Sequence, residues 1–114
     1  MQITIENLQA YLHRQYDGRT NEQSLFMKMV EEMGEVAEIL NKRSGRKASD
    51  GGDQLEELGS ELADVIHYAV SIAAINGLDL NEIILSKDKK AAVKYHHDMD
   101  LETFIAGIDG EESF

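Results

Sequence analysis

The sequence predicts an all-α protein, a four-to-five-helix bundle assembled by two-fold helix packing between subunits. Three observations carry this prediction. Proline is absent from all 114 residues, no apolar–polar alternation lasts long enough to define a strand, and apolar residues recur at spacings of three and four along most of the chain. The simplest organisation at this length is one domain over residues 1–114, with 42% hydrophobic residues to form a small core.

A first short helix is expected from about Ile5 to Tyr16, with Ile5, Leu8, Tyr11 and Leu12 on one side. The run DGRT breaks it, and Thr20 or Asn21 can cap a second helix that reaches about Lys42. Residues 42–53, KRSGRKASDGGD, are polar and glycine-rich and read as a loop. A third helix follows from about Gln54 to Asn76, with Gly77 well placed beyond its C-terminus. Asp79 and Glu82 have the spacing of a capping box and open a fourth helix to about His96. The C-terminal tail, about 98–114, has room for a last helical turn or two capped by Asp100.

Charge and composition narrow the function. Twenty-two acidic residues against eleven basic ones give a net charge of −11, a field that repels nucleic-acid backbones and anionic membranes, so neither is expected as a partner. Cysteine is absent, which removes disulfides, thiolate chemistry and sulfur-based zinc sites. The N-terminus does not resemble a signal peptide, and acidic, His or Asn residues interrupt the apolar runs before the roughly 20 residues of a membrane span. A cytoplasmic location is the expectation.

The second and third helices carry carboxylates at the margins of their apolar faces. In the second, Phe26, Met29, Val30, Met33, Val36, Ala37 and Leu40 form one broad arc at about 100° per residue. Glu32 falls on its edge, Glu35 one turn along and slightly further out, while Glu31 and Glu38 point away. The third helix is apolar on most sides, and Glu61 is hemmed in by Leu58, Val65, Tyr68 and Ile72, with Asp64 beside it. Such a helix is usually buried. An isolated buried carboxylate is costly and two together are worse, whereas a divalent cation removes the penalty.

Two readings follow: solvated faces of acidic helices, or i,i+3 acidic pairs on neighbouring helices that hold a metal. All-oxygen ligands favour magnesium or manganese over zinc. A di-iron or di-manganese carboxylate protein is disfavoured because the Glu-x-x-His pairs are missing. His67 points about 60° away from Asp64, toward Ala63 and Ala74, and reads as a packing or polar contact. Two basic clusters stand out in so acidic a chain: Lys42, Arg43, Arg46 and Lys47 in the loop, and Lys87, Lys89, Lys90 and Lys94 along the fourth helix. The third helix has more apolar surface than three short neighbours cover, which argues for subunit pairing, with Ala63, Ala69, Ala73 and Ala74 permitting close approach.

EEMGE at 31–35 followed by ELAD at 61–64 resembles the paired EExxE and ExxD motifs of the MazG-like all-α nucleoside triphosphate pyrophosphohydrolases. The resemblance covers roughly residues 20–96, including the intervening basic loop and a lysine-rich helix ending in Lys94 and Tyr95. It implies a helical bundle of the all-α NTP pyrophosphatase type, working as a homodimer or homotetramer. The implied activity is magnesium-dependent hydrolysis of ribo- or deoxyribonucleoside triphosphates to monophosphate and pyrophosphate, with Mn2+ as a substitute. Cleansing of the nucleotide pool is one role such an activity would serve.

By position, the resemblance makes Glu32, Glu35, Glu61 and Asp64 metal ligands, and offers Glu31, Glu32 and Glu35 as candidates for activating the attacking water. Tyr68 would lie beside the nucleotide, and Lys87, Lys90 and Lys94 would contact phosphate. Where several relatives carry asparagine three residues before the last basic residue, this chain has Ala91, with Asp88 and Lys87 the nearest polar alternatives. Tryptophan is absent, so a tryptophan-lined base pocket is excluded. The competing function is a non-catalytic helical module that binds nucleotide or metal for regulation.

Overall fold

The computed structural model describes residues 1–45 and 54–112 and contains five helices among them. They are α1 (Ile5–Tyr16), α2 (Glu22–Arg43), α3 (Gln54–Ile75), α4 (Leu80–Lys94) and α5 (Leu101–Glu112). Two compact units result, Met1–Leu78 with α1 to α3 and Asp79–Phe114 with α4 and α5. Arg46 and Lys47 of the basic loop lie outside the described residues.

Local chemistry sets the helix ends. Thr4 and Asn7 form a reciprocal capping box on α1. Asn21, rather than Thr20, caps α2 by accepting from Ser24 N–H at 2.8 Å. Gly77 takes a left-handed φ of 67° after α3, while Leu78 N–H reaches back to the Ala73 carbonyl, which is the Schellman arrangement. His96 does the same job after α4 with φ of 54°, so that helix stops at Lys94, short of the expected His96. Asp100 accepts from Thr103 N–H at 2.8 Å and opens a helix of 12 residues, longer than the expected turn or two.

In the first unit, α3 is the central helix, packed against α2 on one side and α1 on another. Asn76 Nδ2 donates to Glu22 Oε2 at 3.0 Å, tying the end of α3 to the start of α2, so the two helices run antiparallel. Their seam follows a four-three repeat. Leu25, Met29, Glu32, Val36 and Ile39 are the inward positions of α2, and Leu58, Glu61, Val65, Tyr68 and Ile72 those of α3. α1 docks on the opposite flank of α3 through Leu12, which is fully buried like Ser71. The Ser71 hydroxyl donates to the His67 carbonyl at 2.6 Å, so this buried polar group is satisfied. Tyr11, on the same side of α1 as Leu12 by spacing, is exposed, whereas Tyr16 is half-buried.

The single broad arc expected on α2 splits in two. Phe26, Val30, Met33, Ala37 and Leu40 sit one residue after the seam positions and are all exposed, with Phe26 at 50%. On α3, Leu55, Gly59, Leu62, Ile66 and Ala69 occupy the equivalent row and are exposed too. In an antiparallel pair, the row one residue past each seam falls on the same side. The two rows therefore make one continuous apolar face, opposite the flank that α1 covers. Of the small residues expected to permit helix approach between subunits, Ala69 is on this face, while Ala73 and Ala74 are already buried within the chain.

By length and mean hydropathy, 1.3 over its best window, α3 would qualify as a membrane span, despite the acidic residues that interrupt it. Glu61 and Asp64 sit within its length, where ionised carboxylates are expelled from hydrocarbon at about 2.5–3.5 kcal/mol each. α3 packs against both α1 and α2 as the central helix of the first unit.

Candidate metal and nucleotide site

The antiparallel register of α2 and α3 brings their acidic motifs level. Glu32 and Glu61 are seam residues at mid-helix, surrounded by Met29, Val36, Leu58 and Val65 in the same rows. Asp64 follows Glu61 by one turn. One carboxylate oxygen from each of Glu32, Glu61 and Asp64 lies within 4.8 Å of the others, a spacing that one cation can bridge. Glu35 borders the group on the α2 side, close enough to act on the Glu61 carboxyl.

Glu61 is the strained member. Its Oε2 is buried with no hydrogen-bond donor. The neighbouring carboxylates of Glu32 and then Glu35, together with burial, push its pKa up to about 8. Without a cation, this group therefore tends to hold a proton near neutral pH, because the neighbouring carboxylates and burial disfavour its charge. An orphaned carboxylate oxygen inside a ring of hard oxygen donors fits Mg2+ or Mn2+ and does not fit a soft-ligand metal.

The remaining sequence candidates are distributed unevenly. Glu31 is exposed on the outer side of α2, where Lys28 pairs with it at 3.4 Å, and it is not among the clustered oxygens. Tyr68 lies on the α3 seam one turn beyond Asp64, half-buried, with its ring against the edge of His67 at 5.0 Å between centroids. His67 turns away from the carboxylates, as expected, and its Nε2 is 2.7 Å from the hydroxyl of Tyr16. Tyr16 was absent from the sequence candidates, since an aromatic at a helix end gives no signal of the partner it meets 51 residues later.

Lys87, Lys90 and Lys94 are exposed along α4 in the second unit, and the Lys94 ammonium sits 5.3 Å from the Tyr95 ring centroid. Ala91 is half-buried on the inner side of α4. Asp88, the polar alternative nearest to it, accepts from Leu101 N–H at 2.6 Å and holds the start of α5. That contact gives Asp88 a structural duty.

Comparisons with known proteins agree with this geometry. The family model described as the MazG nucleotide pyrophosphohydrolase domain matches residues 20–97, which contain both acidic motifs. A crystal structure of iMazG from Vibrio DAT 722 matches with a TM-score of 0.62 and 28% sequence identity, covering 82% of this chain and 98% of its own. No curated protein matches the chain. With the acidic layer of α2 and α3 inside a match that spans most of the sequence, the chain belongs to the MazG nucleotide pyrophosphohydrolase family.

Proposed function

We propose that the protein hydrolyses ribo- or deoxyribonucleoside triphosphates to the monophosphate and pyrophosphate in a Mg2+-dependent reaction. The observation that carries this reading is the convergence of one carboxylate oxygen each from Glu32, Glu61 and Asp64, with Glu61 Oε2 buried and lacking a hydrogen-bond partner. Glu32, Glu35, Glu61 and Asp64 would hold the cation, with Mn2+ able to replace it. When bound, the ion supplies charge that neutralises the triphosphate and makes water more acidic.

The chain's own groups divide the remaining work. Water attacks phosphorus, the phosphoanhydride oxygen leaves with pyrophosphate, and the water proton passes to a carboxylate. Glu35 suits that last task better than Glu31, because Glu35 borders the cluster while Glu31 is paired outward with Lys28. Tyr68 offers a ring face for the nucleoside within one turn of Asp64. Lys87, Lys90 and Lys94 are assigned to the phosphates, where ammonium groups stabilise charge on the departing pyrophosphate. Such an enzyme suits removal of unwanted nucleotides from the pool.

The active form is assigned as a homodimer or homotetramer, with the apolar face of α2 and α3 as the contact. Among the described residues, five positions on each helix of this face are exposed, and burying each large side chain contributes about 1.5–3 kcal/mol. An Ile66→Asp variant is expected to run as a smaller species by light scattering than the parent, and an unchanged mass would remove this face as the contact.

The activity is tested by pyrophosphate release from a panel of nucleoside triphosphates with Mg2+, Mn2+ or EDTA. Metal-dependent release of pyrophosphate and the matching monophosphate is the expected result. Release of orthophosphate, or silence across the panel, would reject the proposal.

A further inference from the structure

We infer that Tyr16 and His67 are positioning residues that hold Tyr68 in place for the nucleotide. This rests on the role of Tyr68 proposed above and adds a part for α1. That helix lies before the stretch that matches the family, which begins at residue 20.

The three side chains form one relay of contacts. The Tyr16 hydroxyl is 2.7 Å from His67 Nε2, and the two rings meet edge to face at 5.6 Å and 86°. His67 then meets Tyr68 edge to face at 5.0 Å and 81°, a favoured arrangement for aromatic pairs. Adjacent residues on a helix diverge by about 100°, so Tyr68 can follow the α2–α3 seam while His67 leans toward α1. The Tyr16 hydroxyl has its pKa raised by burial first and by Tyr68 next, which places Tyr68 within its electrostatic reach.

The imidazole meets both tyrosine rings edge to face. Ser71 fixes the backbone beneath it by donating to the His67 carbonyl, and the Tyr16 hydroxyl fixes the ring orientation. A ring fixed this way blocks rotation of Tyr68 away from the carboxylates, so the nucleoside meets a surface already in place. Gln9 supports the position of α1, since its side-chain amide donates to the Leu78 carbonyl at the end of the α3 turn.

The test compares steady-state kinetics of the parent, Tyr16→Phe, His67→Ala, Tyr68→Ala and the double variants with Tyr68→Ala, using the triphosphate the parent turns over best. Tyr16→Phe keeps the ring and loses only the hydroxyl. It should raise KM about fivefold, the equivalent of one neutral hydrogen bond, with kcat changed less than about twofold and the fold retained in melting curves. His67→Ala should raise KM at least as much. In the Tyr68→Ala background, neither change should raise KM further.

Unchanged KM in both single variants would overturn the inference while leaving the proposed activity standing. KM increases of the same size with and without Tyr68 would also overturn it, because the pair would then act through general stability. A parent that releases no pyrophosphate from any triphosphate would remove both the activity and the inference.

Discussion

Glu61 within α3 and Asp100 just before α5 are both carboxylates of one small protein, and their surroundings differ in sign. Asp100 faces the free N–H groups at the start of α5, accepts from Thr103, and has its pKa lowered mainly by that contact. Nearby, Asp88 takes Leu101 N–H, and Glu102 pairs with Lys89 at 2.6 Å, raising the lysine pKa. Each of these acids has a donor supplied by the chain. Glu61 faces Glu32, Glu35 and Asp64 instead, and one of its oxygens has no donor. The difference separates acids that complete the fold from acids grouped as a candidate cation site. Asp88 and Asp100 stabilise the start of α5, whereas Glu61, Glu32 and Glu35 repel one another when ionised.

The largest expected effect breaks that contrast at its centre. Glu61→Gln keeps the side-chain shape and introduces a donor among the remaining carboxylates. Turnover should fall more than about a hundredfold, exceeding the usual loss on removing a mere outer partner of a metal ligand. Above about pH 8, where Glu61 is ionised in the metal-free parent, the variant should melt at a higher temperature, since one repelling charge is gone. Activity and apo stability thus move in opposite directions, as expected for a site whose groups are arranged for function.

A pH series sharpens the same contrast. Folding raises the Glu61 pKa from its ordinary 4.5 to about 8, so the native state binds more protons than the unfolded chain between those values. Its stabilising contribution is complete below about pH 4.5 and is lost as pH rises to about 8. Metal-free protein should therefore lose melting temperature across that window, and saturating Mg2+ should flatten the trend by binding the ionised form. Asp100 has the opposite sign: its lowered pKa stabilises above the ordinary 3.8 and is lost in acid.

Smaller effects belong to the second unit. Asp100→Ala should lower the melting temperature by a few degrees, because the cap on α5 is lost, with the Mg2+-induced shift in melting retained. Smallest of all, His96→Gly removes a side chain from a left-handed position and should stabilise by less than about 1 kcal/mol. A destabilised His96→Gly variant would show that the imidazole makes up for the strained backbone.

Helix ends and the acidic motifs were legible in the sequence because they depend on residues a few positions apart. The start at Ile5, the breaks at DGRT and Gly77, and the caps at Asn21, Asp79 and Asp100 are local events. Glu32 and Glu61 were traceable because a charge inside an apolar row violates its own helix's pattern. Which apolar row each helix buries was not traceable, since Leu25 and Phe26 are chemically alike and only the neighbouring helix distinguishes them. The rotation of α1 on α3 likewise decides that Tyr16, and not Tyr11, meets His67. The extra length of α5 depends on Asp88, thirteen residues before the N–H it accepts.

The central claim is that the α2–α3 carboxylates form a site for a divalent cation, and calorimetric titration of metal-free protein with Mg2+ tests it most directly. The parent and Glu61→Gln would be measured side by side near neutral pH, with Mn2+ as a second titrant. Saturable binding to the parent, lost in Glu61→Gln although that variant remains folded, is the predicted result. Equal binding by both proteins, or none by the parent at millimolar metal, would contradict the account.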